Sequence, residues 1–116
     1  MDIDNAIESF AALSQKTRLK TLQLLVRNEP EGLPAGEIAR HLSVPHNTMS
    51  SHLAVLTRAG WISSQRQSRS IIYRANLNHM KKTLDFLIRD CCADHPTVCE
   101  PFTTALDNCC DVKEQE

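Results

Sequence analysis

The first 90 residues of this 116-residue chain contain no cysteine, and the whole chain has only three glycines, one tryptophan and one tyrosine. With glycine this scarce and prolines limited to five, a collagen-like or low-complexity chain is excluded. Nowhere do apolar residues run for the roughly 18 positions a membrane-spanning helix needs. The opening "MDIDNAIESF" has neither the basic residues nor the apolar stretch of a secretory leader, so a cytoplasmic protein without membrane association is expected. Hydrophobic residues at 41% and charged residues at 23% match ordinary globular usage. A chain of this length builds one core.

Acidic residues are missing from the middle. Residues 35–74 carry five arginines against Glu37 alone, whereas residues 1–34 carry four Lys/Arg and five Asp/Glu, and residues 75–116 carry four and eight. A basic segment held between acidic ones can face a polyanion while the rest of the chain keeps it in solution.

Periodicity divides the chain into elements. Ile3, Ile7 and Phe10 form one stripe of a first helix. Ser14 is placed to cap a second, with Leu19, Leu22 and Leu25 or Val26 on one face, ending at the proline-rich "EPEGLPAGE". A short third helix runs through "AGEIARHL", with Ile38, Ala39 and Leu42 apolar, and stops at "SVPH". In "NTMSSHLAVLTRAGW" the spacing of Met49, Leu53 and Leu56 predicts a fourth helix that Gly60 terminates. Two short helices around a tight turn make a helix-turn-helix. The period then drops to 2: "WISSQRQ" and "SIIYRAN" predict a β-hairpin around "QSR". From Asn78 the helical period returns, with Met80, Leu84 and Leu87/Ile88 on one face. The fold class is mainly α with a small β-hairpin, a winged helix-turn-helix.

A major groove about 12 Å wide admits one α-helix, whose short polar side chains read base edges. With Met49, Leu53 and Leu56 turned inward, the fourth helix presents His46, Asn47, Ser50 and Ser51, with Arg58 further along. Asn pairs with adenine edges, and Ser or His with bases or phosphates. The plain alternative is a solvated face. His52, three residues after Met49 and four before Leu56, reads as a partly buried structural histidine. Arg66 and Arg69 flank the hairpin tip, where a wing meets phosphates or the minor groove.

These runs carry a resemblance. "LSQKTRLKTLQLL" and "LSVPHNTMSSHLAVLTRAGWI", with its Ser-x-His-Leu-x-x-Leu run, resemble the ArsR/SmtB family of metal- and metalloid-responsive winged-helix repressors. The resemblance implies a homodimer formed through the first and last helices, binding operator DNA with two-fold symmetry and releasing it when an inducer binds. Carried over by position, it assigns DNA contact to His46, Asn47, Thr48, Ser50, Ser51, Arg66 and Arg69. It also implies a DNA-binding and dimerisation domain over residues 1–99, followed by an acidic cysteine-containing tail over 100–116. The sequence departs from the family pattern in having no glycine at the wing tip "QRQSRS", and in placing Pro45 where Ser or Ala is usual.

The inducer follows from the thiols. Cys91, Cys92, Cys99, Cys109 and Cys110 are an odd number without a leader, which favours reduced thiols over a disulfide framework. The third helix has no cysteine, and "LNHMKKTLDFLIRD" offers His79 without an acidic partner two residues before it, so two known types of family site are not expected. "DCCADHPTVC" resembles the Cys-Cys-x6-Cys signature of arsenite-responsive members. Thiolates are soft ligands, and trivalent arsenic or antimony takes three of them. The expected metal ligands are therefore Cys91, Cys92 and Cys99, with arsenic(III) the inducer and antimony(III) a second candidate. Tetrahedral zinc would need a fourth ligand, such as His95 or Cys109. The alternative is a thiol-based redox or sulfide-sensing repressor, in which one of the pair bridges to Cys99. No enzyme is expected, because a helix C-terminus among acids disfavours the thiolate nucleophile.

Overall fold

The computed structural model describes residues 1–90. Cys91, Cys92, Cys99 and the expected boundary between residues 99 and 100 lie outside the described residues. Asp2–Leu77 form one compact unit, and a second begins at Asn78.

The first unit runs α1 (Ile3–Leu13), α2 (Lys16–Arg27), β1 (Leu33–Pro34), α3 (Ala35–Leu42), α4 (His46–Ala59), β2 (Ile62–Gln67) and β3 (Ser70–Ala75). Asp2 caps α1 by accepting from the Asn5 amide at 2.8 Å. Gln15 caps α2 through its side-chain oxygen, which accepts from the Arg18 amide at 2.9 Å. Ser14, expected to start α2, instead closes α1: its hydroxyl donates to the Ala11 carbonyl. The longer Gln15 side chain can reach back over the first turn, so it takes the cap one position later.

The core is built on α4. Met49, Leu53 and Leu56 are each at most 1% exposed, and α1, α2, α3 and β2 pack against that helix. Burying each such side chain contributes roughly 1.5–3 kcal/mol. Leu22, Leu25 and Ile38 complete the interior with Thr21, whose hydroxyl is satisfied by the Thr17 carbonyl.

Two predicted stripes point elsewhere. On α1 the buried residues are Ala6, Ser9 and Ala12, while Ile3 and Ile7 are 66% and 60% exposed and Phe10 also reaches solvent. Small side chains let α1 approach α4 closely, and the Trp61 indole donates to the Ser9 carbonyl at 2.7 Å. On α2, Thr21 takes the inward place expected of Leu19, and Leu19 and Val26 are exposed.

The sheet has the order β1-β3-β2, all antiparallel. β1 was not foreseen: two residues within a proline-rich exit carry no alternation to detect. Leu33 pairs with Tyr73 and Pro34 with Ile72, so the segment before α3 is tied to the wing. Arg74 of β3 forms a two-pronged pair with Glu29, at 3.1 Å and 2.8 Å. In the second unit, α5 (Leu77–Asp85) passes into a π-helical turn over Phe86–Asp90, where hydrogen bonds reach five residues instead of four. Leu84 and Leu87 are exposed there. No helix among the described residues is long and apolar enough to cross a membrane.

Gly32 is required at the entry to β1. Its φ is +74°, and an added Cβ would lie 2.4 Å from the Tyr73 carbonyl oxygen. That oxygen belongs to a paired strand and cannot move freely. Gly32→Ala is expected to cost about 2–3 kcal/mol through strain and overpacking, checked by urea unfolding with Gly36→Ala as the control, since a Cβ at Gly36 meets nothing within 4 Å.

Candidate nucleic-acid interface

α3 and α4 are separated by Ser43, Val44 and Pro45, and Ser43 takes the left-handed conformation at φ 55° that reverses the chain. α4 then starts after Pro45 without a side-chain cap from it. Among the described residues the His46 and Asn47 amides have no acceptor, so two N–H groups and the positive end of the helix dipole face outward at the start of α4. Such an end takes a phosphate readily. Gly60, at φ 96°, closes the helix.

Burial of Met49, Leu53 and Leu56 decides what remains outside. His46, Asn47, Thr48, Ser50 and Ser51 are all exposed on the first two turns of α4. Asn47, Ser51, Ala54 and Arg58, at spacings of four, three and four, form one ridge opposite the buried stripe. Thr48 and His46 flank it. The Asn47 side-chain oxygen accepts from the Thr48 amide at 2.9 Å, which orients its amide donors. The Ser50 hydroxyl returns to the His46 carbonyl at 3.1 Å. Ala54 was not singled out from the sequence; its exposure on this ridge gives a small apolar contact of the kind that meets a thymine methyl. Its signal was available in the spacing from Asn47.

The hairpin places Arg66 on β2 opposite Ile71, both exposed, and Arg69 within the two-residue tip. Ser68 has φ 57° and is the positive-φ residue of that tip, a conformation that two-residue hairpin turns usually give to glycine or asparagine. The missing glycine is thus replaced by a serine in the left-handed region.

The basic middle is only partly free. Arg40 is paired with Glu37 and Arg74 with Glu29, whereas Arg58, Arg66 and Arg69 have no carboxylate partner among the described residues. No Asp or Glu lies between Glu37 and Asp85 in sequence, so nothing acidic interrupts the reading helix or the wing.

His52 has a different role. It is half-buried, and its Nδ1 accepts from Arg18 Nη1 at 3.3 Å, while Arg18 Nε donates to the Ala12 carbonyl. Arg18 therefore clips the corner between α1 and α2 to the reading helix. Burial, and then the Arg18 charge, lower the His52 pKa below its ordinary value.

A helix-turn-helix with an uncapped second helix and a basic β-wing is the arrangement of a winged-helix DNA-binding domain. Residues 13–62 match the family described as a helix-turn-helix domain. The chain is 32% identical over 79 residues to the transcriptional repressor SdpR of Bacillus subtilis, covering 68% of this chain and 84% of that protein. An ArsR-like transcriptional regulator from Rhodococcus sp. RHA1 superposes with a TM-score of 0.66 at 26% identity, over 97% of this chain and 92% of that one. A structure described as a possible transcriptional regulator for arsenical resistance has a TM-score of 0.61 at 25% identity, over 73% and 84%. The chain belongs to the ArsR family of winged helix-turn-helix transcriptional regulators.

His52 predicts an acid sensitivity. In the unfolded chain it titrates near 6.5, and the fold lowers that value. As pH falls through 6.5 the unfolded chain takes up a proton that the folded chain refuses, so stability declines until the folded value is passed. His79, lowered by burial and then by Lys82, acts in the same direction. His52→Gln keeps an acceptor for Arg18 without titrating. Its melting temperature relative to wild type should rise on going from neutral to mildly acidic buffer; an unchanged difference would show that His52 is not the group responsible.

Proposed function

We propose that this regulator is an arsenic(III)-responsive repressor that holds operator DNA as a homodimer and releases it when trivalent arsenic, or antimony(III), is bound by Cys91, Cys92 and Cys99. The observation that carries the reading is the set of three thiols in "CCADHPTVC", which follows the last described residue, Asp90, directly in sequence. Three sulfurs satisfy a pyramidal soft centre. Each cysteine gives up its proton as sulfur replaces one hydroxyl of arsenous acid, and one water leaves per bond. The related structure described for arsenical resistance supports the reading from outside.

DNA contact in this reading falls to His46, Asn47, Thr48, Ser50 and Ser51 in the major groove and to Arg66 and Arg69 on the backbone or minor groove. The homodimer accounts for Ile3, Ile7 and Phe10 on α1 and for Leu84 and Leu87 in the second unit, apolar side chains that one chain leaves in solvent. A cytoplasmic location goes with operator binding. A hundredfold loss of operator affinity requires about 2.7 kcal/mol of coupling between the two sites.

Arg66→Ala and Arg69→Ala should each weaken operator and non-specific duplex alike, and each should reduce the slope of log affinity against log salt by about 1. An unaltered slope would remove the wing from the phosphates. For the inducer, operator binding by reduced protein should fall about a hundredfold with stoichiometric arsenite and stay unchanged with zinc. Cys91→Ser, Cys92→Ser and Cys99→Ser should each bind DNA normally and fail to release it. Release by peroxide or polysulfide without metalloid, reversed by dithiothreitol, would instead establish the redox reading.

A further inference from the structure

A cleft of about 320 Å³ opens between α1, the start of α2 and the C-terminal half of α4, a volume at the small end of the range for small-molecule sites. Glu8, Arg18 and Arg58 line it together with the small apolar side chains of Ala11, Val55 and Ala59, all within the compact unit Asp2–Leu77. Arg58 stands both on this cleft and on the outward ridge of α4; the other lining residues take no part in the DNA contacts assigned so far. His46 to Ser51 lie at the other end of α4. On α1, Glu8 stands about 140° round the helix from Ile3 and about 160° from Phe10, while Ala11 lies about 40° from Ile7, so the cleft borders the apolar stripe on one side and faces away from it on the other.

Two features give the cleft a preference. The Arg18 guanidinium is already held by the Ala12 carbonyl and by His52. Its remaining N–H groups have no acceptor among the described residues, and a cation fixed by the fold loses little further freedom when an anion arrives. Arg58, on the same cleft, has no carboxylate partner among the described residues. Two guanidinium-bearing side chains lining one cleft with small apolar ones attract one carboxylate joined to an aliphatic body, and Glu8 repels a second negative group.

We propose that this cleft binds a small aliphatic monocarboxylate, its carboxylate taken by Arg18 and Arg58 and its tail lying on Ala11, Val55 and Ala59. The site joins α1 to the reading helix, so an occupant bears on α4 directly and independently of the thiols.

The test uses the full-length protein, 15N-labelled, titrated with 4-methylpentanoate and, separately, with isopentylamine, which keeps the tail and reverses the charge. Saturable amide shifts at Ala11, Val55 and Ala59 are expected with the acid and none with the amine. Arg58→Gln should weaken binding about fivefold or more through loss of a charge-assisted contact. Ala11→Leu fills the cleft from an exposed position on α1 and should abolish binding without removing a charge; it decides the matter if Arg58→Gln does not fold. A further readout is the His52 ring. Arg18 of α2 is the charge that faces it, with Glu8 of α1 and Arg58 of α4 around the same cleft, and an anion beside Arg18 offsets the field that disfavours the imidazolium. The His52 titration midpoint should therefore move up when the probe is bound. Shifts that never saturate, that the amine reproduces, or that survive both substitutions would overturn the proposal.

Discussion

One constraint organises the molecule: Met49, Leu53 and Leu56 must leave water together, on one side of a single helix. Because α1, α2, α3 and β2 all close over that side, α4 cannot roll, and the ridge of Asn47, Ser51, Ala54 and Arg58 is left facing outward. The polar residues do not select their own orientation. It is imposed from behind by apolar burial, which is non-directional taken singly and directional once four elements share one stripe. A helix that reads DNA must hold its side chains to within a fraction of an ångström, and here the rigidity comes from the hydrophobic side.

Around that helix the structure distributes a limited supply of charge. Of the five arginines in residues 35–74, Arg40 and Arg74 answer carboxylates within the fold. Arg74 with Glu29, together with the β1–β3 pairing, attaches the wing to the end of α2, so the hairpin is tethered at its base while its tip stays accessible. Arg66 and Arg69 then project from an anchored support. A segmental charge count sees all five alike; the division between structural and available cations depends on which acids the fold brings near.

The helix-turn-helix was legible from the helical spacing of Met49, Leu53 and Leu56 and the wing from two β-prone stretches on either side of a polar turn after Gly60, although neither strand alternates between buried and exposed positions. The α1 stripe was legible as apolar but not as to its destination. Ile3, Ile7 and Phe10 form a face that demands cover, and periodicity carries no record of whether the cover belongs to the same chain. Ala6, Ser9 and Ala12 are inconspicuous in sequence because close packing against α4 needs small side chains, not large ones. β1 escaped because two residues have no period, and the Gln15 cap escaped because Ser14 is the better capping type in isolation. The residues proposed to face DNA follow from the same stripe that fixes the core, and Ala54 is inconspicuous in sequence because it is not polar. The clip formed by Arg18 joins positions 34 residues apart in sequence, a relation that no local pattern contains.

The indole of Trp61 gives the molecule a property of another kind. It is the only tryptophan in the chain, it is almost wholly buried, and it spans 52 residues to reach the Ser9 carbonyl, standing where the wing begins and α1 lies over it. Its fluorescence thus originates from a single locus, and the wavelength of that emission follows how dry the junction is. Loosening of α1 from the DNA-reading core, whatever brings it about, would register as a red shift of native light without any attached dye.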